Sequence, residues 1–432
     1  MKPTVALLVL VLYCLPLQAE PLGLSLDEAM ELAVANSQVI HDQENVVAKA
    51  LRNMDNSWNL YLPGVTADLI ASYKDSIFYP SQTSRSVSPL STSLKMDIKL
   101  SLDTKSLFER KKRGDDYATA LLLAQEVQRK FVMGAEKDYF SLVASSLDVN
   151  NSLRTLDLDE ELYRQTKVRF ERGLEPELSL LNADLKLQGT RTAVMSSQAA
   201  YDKKAMAFRR LIGLEPQIMF TLTTPLAFTE LDAKNIEDLL RAIEARLDLE
   251  IKRMAIEAST VAINRYHAIT RLPLLSLGSS LSYGLSDFSV PSDGFSISAG
   301  ISFGVDAWIP GSQKDLAYRL LLEEREQQVV EYDRMLEAAK EKVEDLTIDL
   351  SLKINDLRLT EAKLALAERI HAQTRTAYDR GTVTLYTLDD AQNKVEVQRQ
   401  ALVSTKLAYL QLVIDIGYAL GVDWRSLIGL TS

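Results

Sequence analysis

The sequence runs to 432 residues, with 59 acidic against 49 basic side chains, a formal net charge of −10 and a single cysteine, Cys14. An acidic chain of this kind argues against a phosphate-binding surface, so no nucleic-acid partner is expected, and Cys14 lies within the first nineteen residues, so the chain beyond them has no cysteine for disulfides or Cys-type zinc sites. Three scattered histidines, His41, His267 and His371, without ligand spacing, and the lack of a glycine-rich phosphate loop or nucleophile elbow, leave no expected catalytic residue, metal site or cofactor.

Residues 1–19 read as a secretory signal: Lys2 precedes an apolar run from Val5 to Leu15, and Ala19 is a small residue at the cleavage point. The run is broken by Pro16 and falls short of the roughly 20 apolar residues that a bilayer span needs. Bulky Tyr13 immediately before Cys14 speaks against lipidation at that cysteine. Cleavage takes away Lys2 and no acid, bringing the charge to −11. Elsewhere no uninterrupted apolar stretch is long enough for a membrane helix, so any crossing of a membrane falls to strands.

The remainder repeats itself. A shift of 210 positions lays residues 25–73 over 235–283, so that Asp27 meets Glu237, Ala48 meets Ala258, Pro63 meets Pro273 and Tyr73 meets Tyr283. A shift of 208 lays Arg172-Gly173 over Arg380-Gly381, Ala183 over Ala391 and Gly213 over Gly421. The expected organisation is a first repeat over 20–213, a linker over 214–234 forming a small irregular equatorial patch, a second repeat over 235–421, and a tail over 422–432. Each repeat reads helix, two strands, very long helix, turn at Gly173 or Gly381, helix.

The expected strands lie at about residues 65–73 and 92–103, then 274–284 and 294–306. Leu94, Met96, Ile98, Leu100 and Leu102 alternate with Ser93, Lys95, Asp97, Lys99 and Ser101. In the second repeat Phe295, Ile297, Ala299, Ile301 and Phe303 alternate with Ser296, Ser298, Gly300 and Ser302. Period-two alternation marks a strand with one apolar and one polar face. A soluble sheet lying on a core gives the same pattern, but no second apolar sheet exists in the chain to cover this one. Leu94, Met96, Ile98, Leu100, Phe295, Ile297, Ile301 and Phe303 are therefore expected to face lipid. Four strands cannot close a barrel, so several chains must share one: two would give eight strands and three would give twelve, with room for a passage.

Between residues 314 and 379 there is no proline or glycine, and apolar residues recur every seven at Val329, Leu336, Val343, Leu350, Leu357 and Leu364, with His371 and Tyr378 continuing the series. The first repeat answers with Leu142, Val149, Leu156, Tyr163 and Phe170, where Gly114 and Gly134 are expected interruptions. A heptad held that long means helices packed side by side in coiled-coil fashion, on the order of 100 Å in length.

Leu24-Ser25-Leu26-Asp27-Glu28-Ala29, Tyr61-Leu62-Pro63 and the two Arg-Gly turns leading to Leu181-Asn182-Ala183 and Asp389-Asp390-Ala391 together resemble the TolC-like outer-membrane efflux family, across essentially the whole chain after the signal. The resemblance implies an α+β membrane protein: a long α-helical barrel of coiled-coil-like hairpins joined to four transmembrane strands per chain, three chains making a twelve-stranded barrel. It further implies a homotrimer in outer-membrane lipid that docks a periplasmic adaptor protein and an inner-membrane transporter, and serves as the passive exit duct of a tripartite efflux or type I secretion system. Adaptor docking falls on the hairpin tips, Arg172, Gly173, Leu174, Arg380, Gly381 and Thr382. The periplasmic gate falls on Asp390, Asp389 and Tyr378, while Ser179 and Val383 stand where some relatives tie their hairpins with charges. The competing reading is a non-channel periplasmic coiled-coil adaptor or structural rod, which has no need of strands with a lipid-compatible face.

Overall fold

A computed structural model describes residues 22–73, 90–102, 104–226, 246–284, 294–302 and 304–428, together with residues 229, 231, 243 and 244. The expected signal segment and Phe303 lie outside the described residues, as does the side chain of Leu100. The chain is α+β. It opens with β1 (Leu22–Leu24), α1 (Leu26–Asn36) and α2 (Gln38–Asp55), followed by a 3-10 turn, Asn56–Tyr61, strands β2 (Gly64–Tyr73) and β3 (Leu90–Leu102), and helices α3 (Thr104–Glu171) and α4 (Glu177–Leu211). After β4 (Phe220–Leu222) come α5 (Leu247–Arg271), β5 (Leu274–Gly284), β6 (Gly294–Ser302), a second 3-10 turn, Val305–Trp308, and α6 (Gln313–Asp379), α7 (Leu385–Leu420) and the four-residue α8 (Trp424–Leu427).

The opening helix of the first repeat is two helices. Ser25 and Glu28 form a reciprocal capping box on α1, and the Ser37 side chain accepts from Ile40 N at 3.4 Å to start α2 afresh. In contrast, α3 runs unbroken through Gly114 and Gly134, where the sequence suggests interruptions. A mid-helix glycine costs only about 1 kcal/mol relative to alanine, and this helix is held along its flanks by α2, α4, α5 and α7. The last strand stops at Ser302 rather than near residue 306. Gly304 lies against Thr270, where an added Cβ would stand 3.2 Å from its carbonyl oxygen, and Lys314 holds Asp306 at 2.7 Å, so the chain turns there.

The strands form one antiparallel sheet in the order β2-β3-β5-β6, leaving β2 and β6 as its edges. Beyond one end of the sheet the helices continue as a long layer whose distal order is α4-α3-α7-α6, set by the packing of α3 on α4 and α7, and of α6 on α7. The heptad residues Val343, Leu350 and Leu357 are fully buried along it. The main core lies near the middle of α3, where Tyr139, Phe140 and Phe208 pack edge to face at 5.7 and 5.9 Å between ring centres. There β1 and β4 pair in parallel, Leu22 opposite Phe220. This pairing gives regular structure to three residues, Phe220–Leu222, of the segment expected to be irregular. The Tyr139 hydroxyl donates to Leu24 O at 2.9 Å and accepts from Thr224 N at 3.2 Å, joining β1 and the chain just after β4 to α3. The tail closes the same core: Trp424 Nε1 donates to Glu136 at 2.9 Å, and Arg425 meets the other Glu136 oxygen at 3.3 Å. Burial pushes the Glu136 carboxyl up to about 7, despite the Trp424 hydrogen bond and the Arg425 charge, which pull the other way.

Candidate functional site

Two regions of this framework carry functional geometry: the sheet face and the far ends of the two helical hairpins. In the sheet, register places Val65 beside Ile98, Ala67 beside Met96 and Leu69 beside Leu94. Met96 then lies beside Leu281, and Leu281 beside Phe295, with Ser279 beside Ile297 and Leu275 beside Ile301. Directly paired residues share a face, so one apolar surface extends across all four strands. Leu94, Met96, Ile98, Phe295, Ile297 and Ile301 are all exposed on it. The opposite face is polar: Lys95 pairs with Asp97 at 2.9 Å, and the Ser280 and Ser296 hydroxyls meet at 2.7 Å. The strands hold 10, 13, 11 and 9 residues, close to the ~9 to 11 that a tilted transmembrane strand requires. Among the described residues no helix is long and apolar enough to cross a membrane, and no cluster of three metal-ligating side chains occurs.

At the far end the two hairpins reverse by the same device. Gly173 and Gly381 adopt positive φ, 73° and 74°. Leu174 N donates back to Arg169 O and Gly173 N to Phe170 O, while Thr382 N donates to Ala377 O and Gly381 N to Tyr378 O, at 2.8 to 2.9 Å. Both are Schellman caps, which require a left-handed residue best supplied by glycine. Arg172, Gly173, Leu174, Arg380, Gly381 and Thr382 are all exposed. On the first hairpin a leucine stripe continues from the turn along α4, with Leu178 67% and Leu185 72% exposed and Leu181 between them.

The three gate candidates occupy different settings. Tyr378 is 1% exposed; its hydroxyl donates to Glu175 at 3.4 Å and its ring lies 4.8 Å from the Arg169 guanidinium, so the end of α6 is fastened to the first hairpin. Burial raises its phenol above the usual range. Asp389 forms an ion pair with Lys186 of α4. Asp390 points elsewhere, paired with Lys394 one turn along its own helix at 2.6 Å, with both side chains exposed.

Lys186 reaches a residue that sequence reasoning passes over. Asp159, on α3, is 2% exposed, yet it pairs with Lys186 at 3.1 Å and accepts from Gln392 Nε2 at 2.8 Å and Thr190 Oγ1 at 2.6 Å. One buried carboxylate thus gathers α3, α4 and α7, and its lysine goes on to Asp389. The signal for it is present in the sequence as a second heptad track, Ser145, Ser152, Asp159 and Thr166, three residues behind the apolar one. All four are buried. Ser152 and Thr166 donate to Asp148 O and Leu162 O of their own helix, whereas Asp159 reaches across to α4 and α7.

Comparison with known proteins agrees with this architecture. Residues 239–422 match the family model of outer membrane efflux proteins. The second repeat is an outer membrane efflux protein domain. The fold over most of the chain resembles that of CusC, described for its transmembrane channel formation, at 16% identity over 92% of each chain with a TM-score of 0.76, and that of the outer membrane protein VceC of Vibrio cholerae, at 17% identity over 92% of this chain and 96% of that one, TM-score 0.73. The Campylobacter jejuni channel CmeC matches at 16% identity over 92% of this chain and 85% of that one, TM-score 0.75. No curated protein matches the sequence. The efflux-protein domain contains the Asp389-Asp390 pair and the Gly381 turn, whereas Lys186, Asp159 and the leucine stripe lie outside it, in the first repeat.

Proposed function

We propose that this chain is one subunit of a passive exit duct through the outer membrane, serving a tripartite efflux or type I secretion system. The observation that carries this reading is the sheet, whose exposed face is apolar from edge to edge and which is joined to helices of ~100 Å. A soluble adaptor or rod gains nothing from such a face. The open edges of β2 and β6 would leave backbone groups unsatisfied in hydrocarbon, at several kcal/mol each, and a homotrimer with twelve strands removes them. In such a duct the energy comes from the inner-membrane transporter, and the duct itself only opens and closes.

The helix edges support the same assembly. Measured from their turns, Met195 on α4 and Leu359 on α6 both stand 22 residues away, and Leu185 at 12 corresponds to Ile370 at 11. All four are exposed on the two edges of the layer, so in a ring they meet between neighbouring copies. Nearer the tip, Leu178 and Leu181, 5 and 8 residues from their turn, correspond to the polar Thr376 and Gln373 of such a neighbour, and Leu174 to Arg380. These leucines are left for another partner, the periplasmic adaptor. The Lys186 link between Asp159 and Asp389 holds the second hairpin against the first, a closed arrangement of the entrance. Asp390, exposed beside it, contributes a carboxylate from each copy around the axis, which attracts cations.

The test is conductance in planar bilayers. Purified, detergent-extracted protein is expected to give cation-biased channels, and Asp390→Ala is expected to lower that bias. A reconstituted trimer without pore activity, in both wild-type and variant forms, would refute the duct.

A further inference from the structure

In a chain of net charge −10, four consecutive basic residues, Arg110, Lys111, Lys112 and Arg113, stand at the start of α3, directly below the sheet. Arg110 lies six residues beyond the helix's first residue, Thr104, about 9 Å along its axis. Two of the four are engaged: Arg113 donates to Asn53 O at 3.2 Å and Asn59 Oδ1 at 3.1 Å, fixing the first 3-10 turn to α3, and Lys112 pairs with Asp116 at 3.6 Å. Arg110 and Lys111 form no ion pair among the described residues. They line an open groove of about 700 Å³ between α3 and the end of α2, together with Leu107 and Met54, and with Asp55 and Asp115, which also lack an ion-pair partner among the described residues.

The groove is surrounded by exposed apolar and aromatic side chains. Leu107 is 62% exposed, and Trp58, next in sequence to a groove residue, 59%. Leu62 on the same side of the chain reversal is exposed, as are Val305, Trp308 and Ile309 at the matching end of β6. Arg271 stacks on Trp308 at 5.4 Å. Exposed tryptophans and long basic side chains at the end of a transmembrane sheet sit at headgroup level, where an apolar body and a polar tip are both satisfied. Two cations without an ion-pair partner among the described residues favour an anionic lipid group. Two carboxylates in the same setting select further, for a headgroup bearing both charges and N–H donors.

On the reading that the sheet crosses the outer membrane, we infer that this groove seats a phospholipid of the phosphatidylethanolamine type. The phosphate diester lies toward Arg110 and Lys111, the primary ammonium toward Asp55 and Asp115, and the start of an acyl chain along Leu107.

The test uses the full protein in nanodiscs of dioleoyl phosphatidylcholine doped with phosphatidylethanolamine or phosphatidylglycerol, with retained lipid counted by native mass spectrometry. Wild type is expected to retain phosphatidylethanolamine on the order of tenfold more than phosphatidylcholine. Arg110→Gln with Lys111→Gln abolishes that excess, and Asp55→Asn with Asp115→Asn shifts the preference toward phosphatidylglycerol. Circular dichroism identical to wild type confirms that each variant is folded. Equal retention of phosphatidylethanolamine by wild type and by both variants overturns the inference, and a wild-type preference for phosphatidylglycerol overturns its ammonium half. Failure of the protein to enter nanodiscs at all overturns the membrane reading itself, and is told apart from the other results by the absence of any protein–lipid particle.

Discussion

The two hairpins are built from helices of nearly equal length, 68 and 35 residues against 67 and 36, with the same glycine turn and the same Schellman cap, yet the exposed residues beyond the turns differ. Where the first carries Leu174, Leu178, Leu181 and Leu185, the second carries Thr382, Tyr386, Asp389 and Asn393. Lys186 and its counterpart Lys394 are the same residue at the same place, but Lys186 turns inward to the buried Asp159 and Lys394 pairs on the surface with Asp390. The position matching Asp159 in the second repeat is Ala367. A duplicated unit has thus been divided: one copy supplies an apolar tip and a buried anchor, and the other supplies the acids.

The sharpest way to break the comparison is to treat the two lysines alike. Lys186→Met strips the buried Asp159 and the half-buried Asp389 of their cation, and leaving a buried charge without its partner costs about 3 kcal/mol or more. Lys394→Met removes an exposed pair worth a few tenths of a kcal/mol. Thermal unfolding is expected to separate the two variants clearly, and planar-bilayer recordings should show more frequent opening for Lys186→Met alone. Equal melting temperatures for both would remove the anchor from the account. A smaller effect is expected at the tips. Leu178→Asp with Leu181→Asp is expected to weaken cross-linking to a cognate adaptor about tenfold, as loss of a pair of buried apolar anchors does, whereas Tyr386→Asp, on the second tip, leaves it within about twofold. The reverse order would move docking to the second hairpin.

The smallest effect concerns His371, which holds the position of Tyr163. Burial, with Arg375, Arg399 and Lys186 nearby, lowers its pKa from the ordinary 6.5, so as the pH falls the unfolded chain takes up this proton before the folded one does. The unfolded state then binds more protons, and stability present above about 6.5 is lost as the pH falls below it. His371→Tyr, which installs the first repeat's residue, is expected to flatten melting temperature between pH 7 and pH 5. An unchanged pH profile would show that the imidazole does not contribute.

The helices and strands were legible because their signals are local. A period of seven from Val329 to Tyr378 and a period of two from Leu94 to Leu102 each state which face is apolar, and the face decides the element. Duplication was legible by self-comparison alone. The break at Ser37 was written in a capping residue whose significance depends on the angle that the next helix must take. Nothing local marks Leu22–Leu24 and Phe220–Leu222 as partners, since parallel pairing joins segments nearly two hundred residues apart and three-residue strands carry no period of their own.

The candidate site divides along the same line. By itself the sequence determined the turns at Gly173 and Gly381, the presence of acids at 389 and 390 and the greasy face of the strands, because glycine's left-handed backbone, heptad spacing and alternation act within a few residues. Only the tertiary structure decided that Asp389 is tied to Lys186 while Asp390 is not, and that Asp159 is the buried centre of that tie. Neighbouring residues on a helix point about 100° apart, so which of two adjacent carboxylates is tied to another helix, rather than to a lysine of its own, depends on what a segment far away in the chain brings to that side.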